Sequence, residues 1–438
     1  MAWINKAENK HHVVIIGGGF GGLYAGKALR DKRVQVTIID KRNFHLFQPL
    51  LYQVATGGLS PANIAAPLRG IFSRQLNTRV ILDEATGFDP DSKRVFLKDE
   101  GIVNYDSLII ATGTTHSYFG HDEWEKHAPG LKTIEDATQM KNRIMLAFEQ
   151  AEKEDDPEKI KELLTFVVIG AGPTGVELSG TLAEITRDTF RRDFRHIDTS
   201  ESKIFLLEGL NRILPPMHEA SSTSGKKLLE KLGVSVITNS MVTDIRKNLV
   251  TYRVDNREEK IKAGNILWAA GVIASPVGKM LHDVTGCELD KGGRVIVNPD
   301  LTVGKYRDIF VIGDLAHVKD EKGEMLPGVA QPAMQGGRYA AKAILAGLTG
   351  EKIPPFKYKD IGTMATIGRN AAVCEIGIFK LSGLIAWFMW LFVHLMYILG
   401  YGNKLIIFVQ WAWNYFTWAR QARLITNIRD NDVNEVES

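Results

Sequence analysis

The stretch His11–Arg30, HHVVIIGGGFGGLYAGKALR, decides the fold. Val13 to Ile16 form a continuous apolar run of the buried-strand kind. Gly17, Gly19 and Gly22 follow in G-x-G-x-x-G spacing, inside the string Gly17, Gly18, Gly19, Phe20, Gly21, Gly22, and a helical pattern takes over. The next apolar run, VQVTIID, ends in Asp40, 18 positions after Gly22. Strand, glycine turn, helix and terminal acid together make a βαβ dinucleotide-binding unit. Gly17 permits the tight turn, Gly19 lets the backbone approach a pyrophosphate, and Gly22 lets helix and strand pack closely. The helix N-terminus supplies free N–H donors for phosphate, and Asp40 is placed to accept from ribose hydroxyls.

The pattern recurs. LLTFVVIGAGPTGVELSGTLAE sets Gly170, Gly172 and Gly175 after the strand Phe166 to Ile169, and the strand KIFLLEG ends in Glu208. That acid stands 33 residues beyond Gly175, and the polar insert RDTFRRDFRHIDTSES explains the excess as an extended helix and loop. A carboxylate there repels a 2′-phosphate, which favours NADH over NADPH. The fold class expected is therefore α/β, with two Rossmann-like dinucleotide-binding domains plus a C-terminal membrane-anchoring helical region.

Composition narrows the partners. The chain has 438 residues, a net charge of +3 and no basic tract, so nucleic acid is not expected. Cys287 and Cys374, the two cysteines, form no C-x-x-C, which points to a reducing compartment and away from thiol redox chemistry or a metal site. The N-terminal MAWINKAENKHH lacks the apolar core of a secretory signal, so the body of the protein is expected to stay where it is made.

Three further segments specify the dinucleotides. YDSLIIATGT (Tyr105 to Thr114, with Ala111, Thr112 and Gly113) and NILWAAGV (Asn265 to Val272, with Ala270 and Gly271) are strands ending in small residues. RDIFVIGDLAH (Arg307 to His317) ends its strand in Gly313-Asp314. In this order the segments resemble the two-dinucleotide-binding-domain flavoproteins. The resemblance implies FAD in the first unit, NADH as substrate in the second, and Asp314 at the flavin's ribitol or pyrophosphate. It also implies that hydride passes from nicotinamide to flavin, chemistry carried by the cofactors.

The electron acceptor is read from NFHLFQPLLYQVATGGLSP (Asn43 to Pro61), GVAQPAMQGG (Gly328 to Gly337) and the apolar tail. With these the chain resembles the type II NADH dehydrogenases, single-chain NADH:quinone oxidoreductases. Ala330, Gln331 and Gln335 fall on that family's A-Q-x-A-x-Q signature, which lines flavin and quinone. Neutral amides suit the two carbonyl acceptors of a quinone; the bland alternative is that Gln331 and Gln335 cap or solvate their helix. Glu177 is the catalytic candidate, placed by the family at the nicotinamide–flavin contact, against a plain role in complementing the helix dipole. The resemblance alone implies that Ala85 gives backbone contacts to adenine, while Lys41, beside Asp40, is placed to pair with FAD phosphate and Lys380, just before the apolar stretch, to reach toward flavin or quinone. Solvation of Lys41 and interfacial snorkelling of Lys380 are the alternatives. Two other readings stay open: a related flavoprotein with another acceptor, such as sulfide-derived electrons or a protein partner, and a non-enzymatic membrane-associated nucleotide sensor.

The expected domains are 1–122 (FAD, first part), 123–272 (NADH), 273–350 (FAD, second part, with the quinone signature) and 351–438 (membrane anchoring and dimerisation). Lys380 to Lys404, KLSGLIAWFMWLFVHLMYILGYGNK, contains no formal charge between its end lysines. Between Gly383 and Gly400 a helix reaches only about 24 Å, short of the ~30 Å hydrocarbon core, and Gly400 to Asn403 reads as a helix stop. His394 inside it reads as a satisfied interior or interface residue, with a proton relay as the alternative. The next segment sets Gln410, Asn414, Thr417 and Gln421 on one helical face and Phe408, Val409, Ala412, Trp413 and Phe416 on the other. Packing on the protein's own core is the competing reading. The expectation is a monotopic hairpin on the cytoplasmic face of the cell membrane, in a homodimer that reduces quinone without pumping protons.

Overall fold

The structure, a computed structural model, describes residues 10–31, 33–417, 420 and 422–426. The readings made for the first nine residues, for Gln421 and for the tail RDNDVNEVES lie outside the described residues. In chain order the elements used below begin with β1 (His11–Ile16), α1 (Phe20–Ala28), β2 (Val34–Asp40), α2 (Leu51–Ala55), β3 (Thr78–Leu82) and β4 (Ser107–Ile110). Then come β5 (Thr165–Ile169), α3 (Pro173–Glu184), β6 (Lys203–Leu207), β7 (Val234–Ile237), β8 (Asn265–Trp268), β9 (Thr302–Val303), β10 (Tyr306–Val311) and α4 (Ala330–Gly347). The last are β11 (Thr363–Thr366), β12 (Ala372–Ile376), β13 (Phe379–Gly383), α5 (Leu384–Tyr397) and α6 (Tyr401–Thr417).

By contact the chain divides into two compact units. The first takes residues up to Leu46, then Ala65–Thr115 and Val272–Asp360; the second takes Phe47–Ile64, His116–Gly271 and the chain from Ile361 on. In the first unit a six-stranded sheet has the order β9-β10-β4-β1-β2-β3. β1 is central and pairs in parallel with β2 and β4, Ile15 opposite both Ile38 and Ile109. Val13, Val14 and Ile15 are fully buried, as a strand covered on both faces requires. α4 crosses α1 at backbone contact: a Cβ on Gly337 would lie 2.3 Å from the Gly21 carbonyl oxygen, so only glycine fits there.

The second unit repeats the theme with a parallel sheet of order β7-β6-β5-β8. The helix Ile134–Ala151 enters through a reciprocal Thr133–Asp136 capping box. The residues 47–64, assigned by sequence to the FAD half, group with this unit. α2 packs on the helix Ile134–Ala151 and on α3, and chain adjacency to β2 does not decide that choice. The antiparallel sheet β11-β12-β13 follows, with α5 laid against it.

Gly400, at φ +84°, turns the chain after α5, and α6 starts at once at Tyr401. Gly400–Asn403 was read as a stop; it serves instead as the turn and first residues of a new helix, since only Gly400 needs the left-handed region. Among the described residues no helix is long and apolar enough to cross a membrane. The polar edge of α6 faces inward: Trp411 Nε1 donates to Gln53 at 2.9 Å, and Asn414 donates to the Gly58 carbonyl at 3.4 Å. Its apolar edge faces out, with Leu405, Val409, Trp413 and Phe416 between 54 and 79% exposed. α5 does the same with Ile385, Phe388, Phe392 and Met396.

The segment after α6 is tied down by charge. Arg420 pairs at 3.3 Å with Glu184, the buried last residue of α3, and Arg423 pairs with Asp193. Removing one partner of a buried pair strands the other charge, at a cost of about 3–5 kcal/mol. Arg420→Ala is therefore expected to lower the midpoint of urea unfolding sharply, and Glu184→Gln combined with Arg420→Met to recover most of it.

Candidate functional site

The first glycine turn is built by close approach. Gly17 has φ +101°, and a Cβ there would meet the Ala111 carbonyl oxygen at 2.5 Å. A Cβ on Gly22 would fall 1.8 Å from the Gly17 oxygen. Gly19, the N-cap of α1, is different: nothing stands within 4 Å of its Cβ position, and no side chain caps the helix. The N-terminal end of α1 thus opens beside unfilled space at Gly19, the kind of helix end that suits a phosphate. Asp40 closes the turn by accepting from Gly18 N at 2.5 Å and Arg42 N at 2.7 Å. Burial pushes its carboxyl pKa up, and these two donors oppose the shift.

The second turn repeats this geometry. Gly170 has φ +96° with Ala270 at 2.7 Å from its Cβ position, and a Cβ on Gly175 would lie 1.8 Å from the Gly170 oxygen. Gly172 is an uncapped N-cap with nothing within 4 Å. Glu208 accepts from Ala171 N at 2.7 Å and Leu210 N at 3.0 Å. This is the arrangement of Asp40, so the long spacing has not displaced the acid. Gly271, at φ +66°, turns the chain beneath the Phe119 ring.

The remaining first-unit candidates fall around the first turn with different prominence. Ala111 donates to the Ile16 carbonyl, Thr112 shares a 2.6 Å hydrogen bond with Ser275, and Gly113 takes φ +68°. Asp314 is half-buried, with Thr114 Oγ1 donating to it at 3.4 Å, and lines a cleft with Thr114, Gly328 and Pro332. Ala85 lies buried in a β-ladder opposite Leu97, whereas Lys41 is exposed. Gln331 is half-buried in the first turn of α4, which Ala330 opens. Gln335 is not a free amide: its Nε2 donates to the Lys359 carbonyl at 2.9 Å and its Oε1 accepts from Lys359 N at 3.0 Å. It staples the chain after α4.

Glu177 is the fifth residue of α3, past the first turn, so a helix-dipole role has little force. It is buried, accepts from Thr366 N at 3.3 Å, and burial pushes its pKa up to about 8. The Trp390 indole N–H faces it and opposes that rise, though it falls short of a formed hydrogen bond. Lys380 is exposed on β13 opposite Glu375. His394 is satisfied: its Nδ1 bonds the Trp390 carbonyl at 2.8 Å, its ring stacks on Trp390, and burial lowers its pKa to about 4.

Sequence reasoning missed Tyr52, Trp390 and His45. His45 is buried, its Nδ1 bonded to the Gly18 carbonyl at 2.9 Å and its ring edge-on to Phe20. A histidine and a tyrosine within NFHLFQPLLYQ were the available signals. Both cysteines are buried, and burial pushes both thiol pKa values up, which suits inert packing rather than sulfur transfer.

Two outcomes test this geometry. Gly19→Ala and Gly172→Ala should fold with melting temperatures near the parent's, yet each should weaken dinucleotide binding at its own turn at least tenfold by titration. For Glu177 the folded pKa lies above the unfolded value, so the stability it contributes is full below about pH 4.5 and lost as pH rises through about 8. Glu177→Gln should therefore melt higher than the parent at pH 9, with the gap closing toward pH 5.

The family model for pyridine nucleotide-disulphide oxidoreductases matches residues 11–337. A type II NADH:quinone oxidoreductase of Mycobacterium tuberculosis is 43% identical over 429 residues, covering 96% of this chain and 92% of that protein. The structure of NDH2 from Plasmodium falciparum in complex with NADH matches with a TM-score of 0.86 at 21% identity, over 95% of this chain and all of that one. The sulfide:quinone oxidoreductase of Aquifex aeolicus matches at 0.71 and 19%, over 97% of this chain and 95% of that one. The two structural matches speak for the fold alone; the sequence match carries the family. The chain belongs to the type II NADH:quinone oxidoreductases, on the pyridine nucleotide-disulphide oxidoreductase fold.

Proposed function

We propose that this chain oxidises NADH with a tightly held FAD and reduces a membrane quinone, without translocating protons. The observation that carries the reading is the repetition of one phosphate-accepting turn, at Gly17–Gly22 and at Gly170–Gly175, in a single chain. The first turn, with Asp40 and Asp314, fits FAD: its uncapped helix end and open Gly19 suit a pyrophosphate. The second, with Glu208 as a ribose acceptor that repels a 2′-phosphate, fits NADH. Bound FAD would supply a group able to take a hydride as two electrons and pass them on. The protein's own part is to hold both dinucleotides by backbone donors, to offer Gln331 as a neutral amide, and to keep a protonatable carboxyl at Glu177.

The outward apolar edges of α5 and α6 favour a bilayer surface as the place of work. A quinone resides in lipid, and contiguous apolar exposure of this kind marks an interaction site. With α6 bonded to the body through its polar edge, the helix pair is suited to lie in the interface rather than to cross it.

Purified protein in detergent should show a flavin absorbance that NADH bleaches and a water-soluble benzoquinone restores. Failure of the quinone to restore it would refute the proposed acceptor. Replacing Phe388, Phe392 and Trp413 by serine should cut co-sedimentation with phospholipid vesicles at least fivefold while leaving NADH bleaching intact.

A further inference from the structure

The two glycine turns hold one and the same peptide by two grips. In the first turn Gly18 N–H donates to Asp40, the acid that ends β2, and the Gly18 carbonyl accepts from His45 Nδ1 at 2.9 Å. In the second, Ala171 N–H donates to Glu208, the acid just past β6, and the Ala171 carbonyl accepts from Leu214 N at 2.7 Å. Gly18 and Ala171 occupy the same place in G-x-G-x-x-G, and the second donor follows the acid by five residues in one turn and six in the other. Only its chemistry differs: an imidazole at the first turn, a backbone N–H at the second.

What the second grip fixes is the peptide joining Gly18 to Gly19. A trans peptide is planar, so its carbonyl and its N–H point in opposite directions. With the Gly18 oxygen held by His45, the Gly19 N–H is turned away from the imidazole. Gly19 is the uncapped N-cap of α1 with nothing within 4 Å of its Cβ position, so this N–H belongs to the helix end that suits a phosphate.

The imidazole is locked in the form that donates. A carbonyl oxygen only accepts, so Nδ1 carries the hydrogen. Nε2 is then a bare acceptor, buried with no partner among the described residues. Moving the hydrogen to Nε2 would set two lone pairs against each other at Gly18 and bury an unsatisfied donor. Burial, opposed by the Gly18 bond and joined by the charge of Lys27, lowers the ring's pKa to about 4, so it stays neutral around pH 7. Its seat is equally fixed: His45 is 2% exposed, lies on the short strand Phe44–Leu46 opposite Ala66, and stands edge-on to Phe20 with ring centroids 5.0 Å apart.

We propose that His45 is a positioning residue for the dinucleotide of the first turn: by donating from Nδ1 to the Gly18 carbonyl it aims the Gly19 N–H at the pyrophosphate, the task that Leu214 N–H performs at the second turn. His45 touches no reacting atom and moves no proton; it acts through the Gly19 N–H. The inference rests on the reading that the first turn takes FAD.

The test is FAD binding to the full chain stripped of flavin, followed by quenching of flavin fluorescence. NADH affinity and the melting temperature of the flavin-free chain are measured alongside. His45→Leu keeps a buried apolar side chain but removes the donor, and should weaken FAD binding about tenfold or more while leaving NADH affinity unchanged. His45→Asn carries its amide nitrogen where Nδ1 stood and should restore most of the FAD affinity. His45→Gln sets its nitrogen one bond further out and should not; the Asn and Gln variants decide the matter if His45→Leu does not fold. Equal FAD affinity in the parent and His45→Leu would overturn the proposal. So would equal losses in the Asn and Gln variants, which would assign the effect to ring packing on Phe20, as would FAD affinities that merely follow the melting temperatures. Failure of the parent to bind FAD would instead sink the reading on which the inference rests.

Discussion

Everything in this protein hangs on a contact of backbone with backbone. Where β1 gives way to α1, and again where β5 gives way to α3, the carbonyl of the first glycine occupies the place of a side chain on the helix's first turn. A methyl group on Gly22 or Gly175 would sit 1.8 Å from that oxygen. With the contact made, the helix starts hard against the strand, its N–H groups point out of the turn, and the acid at the end of the next strand can reach back. Without it the helix at that turn would stand off from its strand and its N–H groups would no longer converge on an anion.

Much of this was legible because it is local. Glycine spacing, strand runs and terminal acids act over short stretches of chain, and Glu208 could be placed across its long insert because a strand end is a fixed point in a βαβ unit. What escaped was long-range. Residues 47–64 follow the first βαβ unit in sequence but find their partners on α3 and the C-terminal region. Gln335 belongs to a legible signature, yet its amide is tied to Lys359 by two bonds that no spacing announces. The stripes on α6 were visible too. Their direction was not, since a stripe does not say which edge meets the body, and here hydrogen bonds from Trp411 and Asn414 decide that the polar edge goes in.

The same inversion explains why Glu177 can be both deeply buried and chemically poised. A carboxyl in an apolar pocket is simply neutral; one surrounded by donors alone is simply ionised. Trp390 of α5 and Trp411 of α6 turn their indole N–H groups toward the protein body. Desolvation raises the proton affinity of Glu177, and Thr366 N–H on β11 and the Trp390 indole on α5 oppose only part of that rise.

Gly337 gives the quinone-signature helix a second significance. Its backbone rests on the Gly21 carbonyl, so α4 and the phosphate turn of α1 form one rigid interlock. Any displacement of the segment carrying Gln331 is therefore felt as mechanical load on the glycine turn that opens α1, so the two ends of the interlock move together.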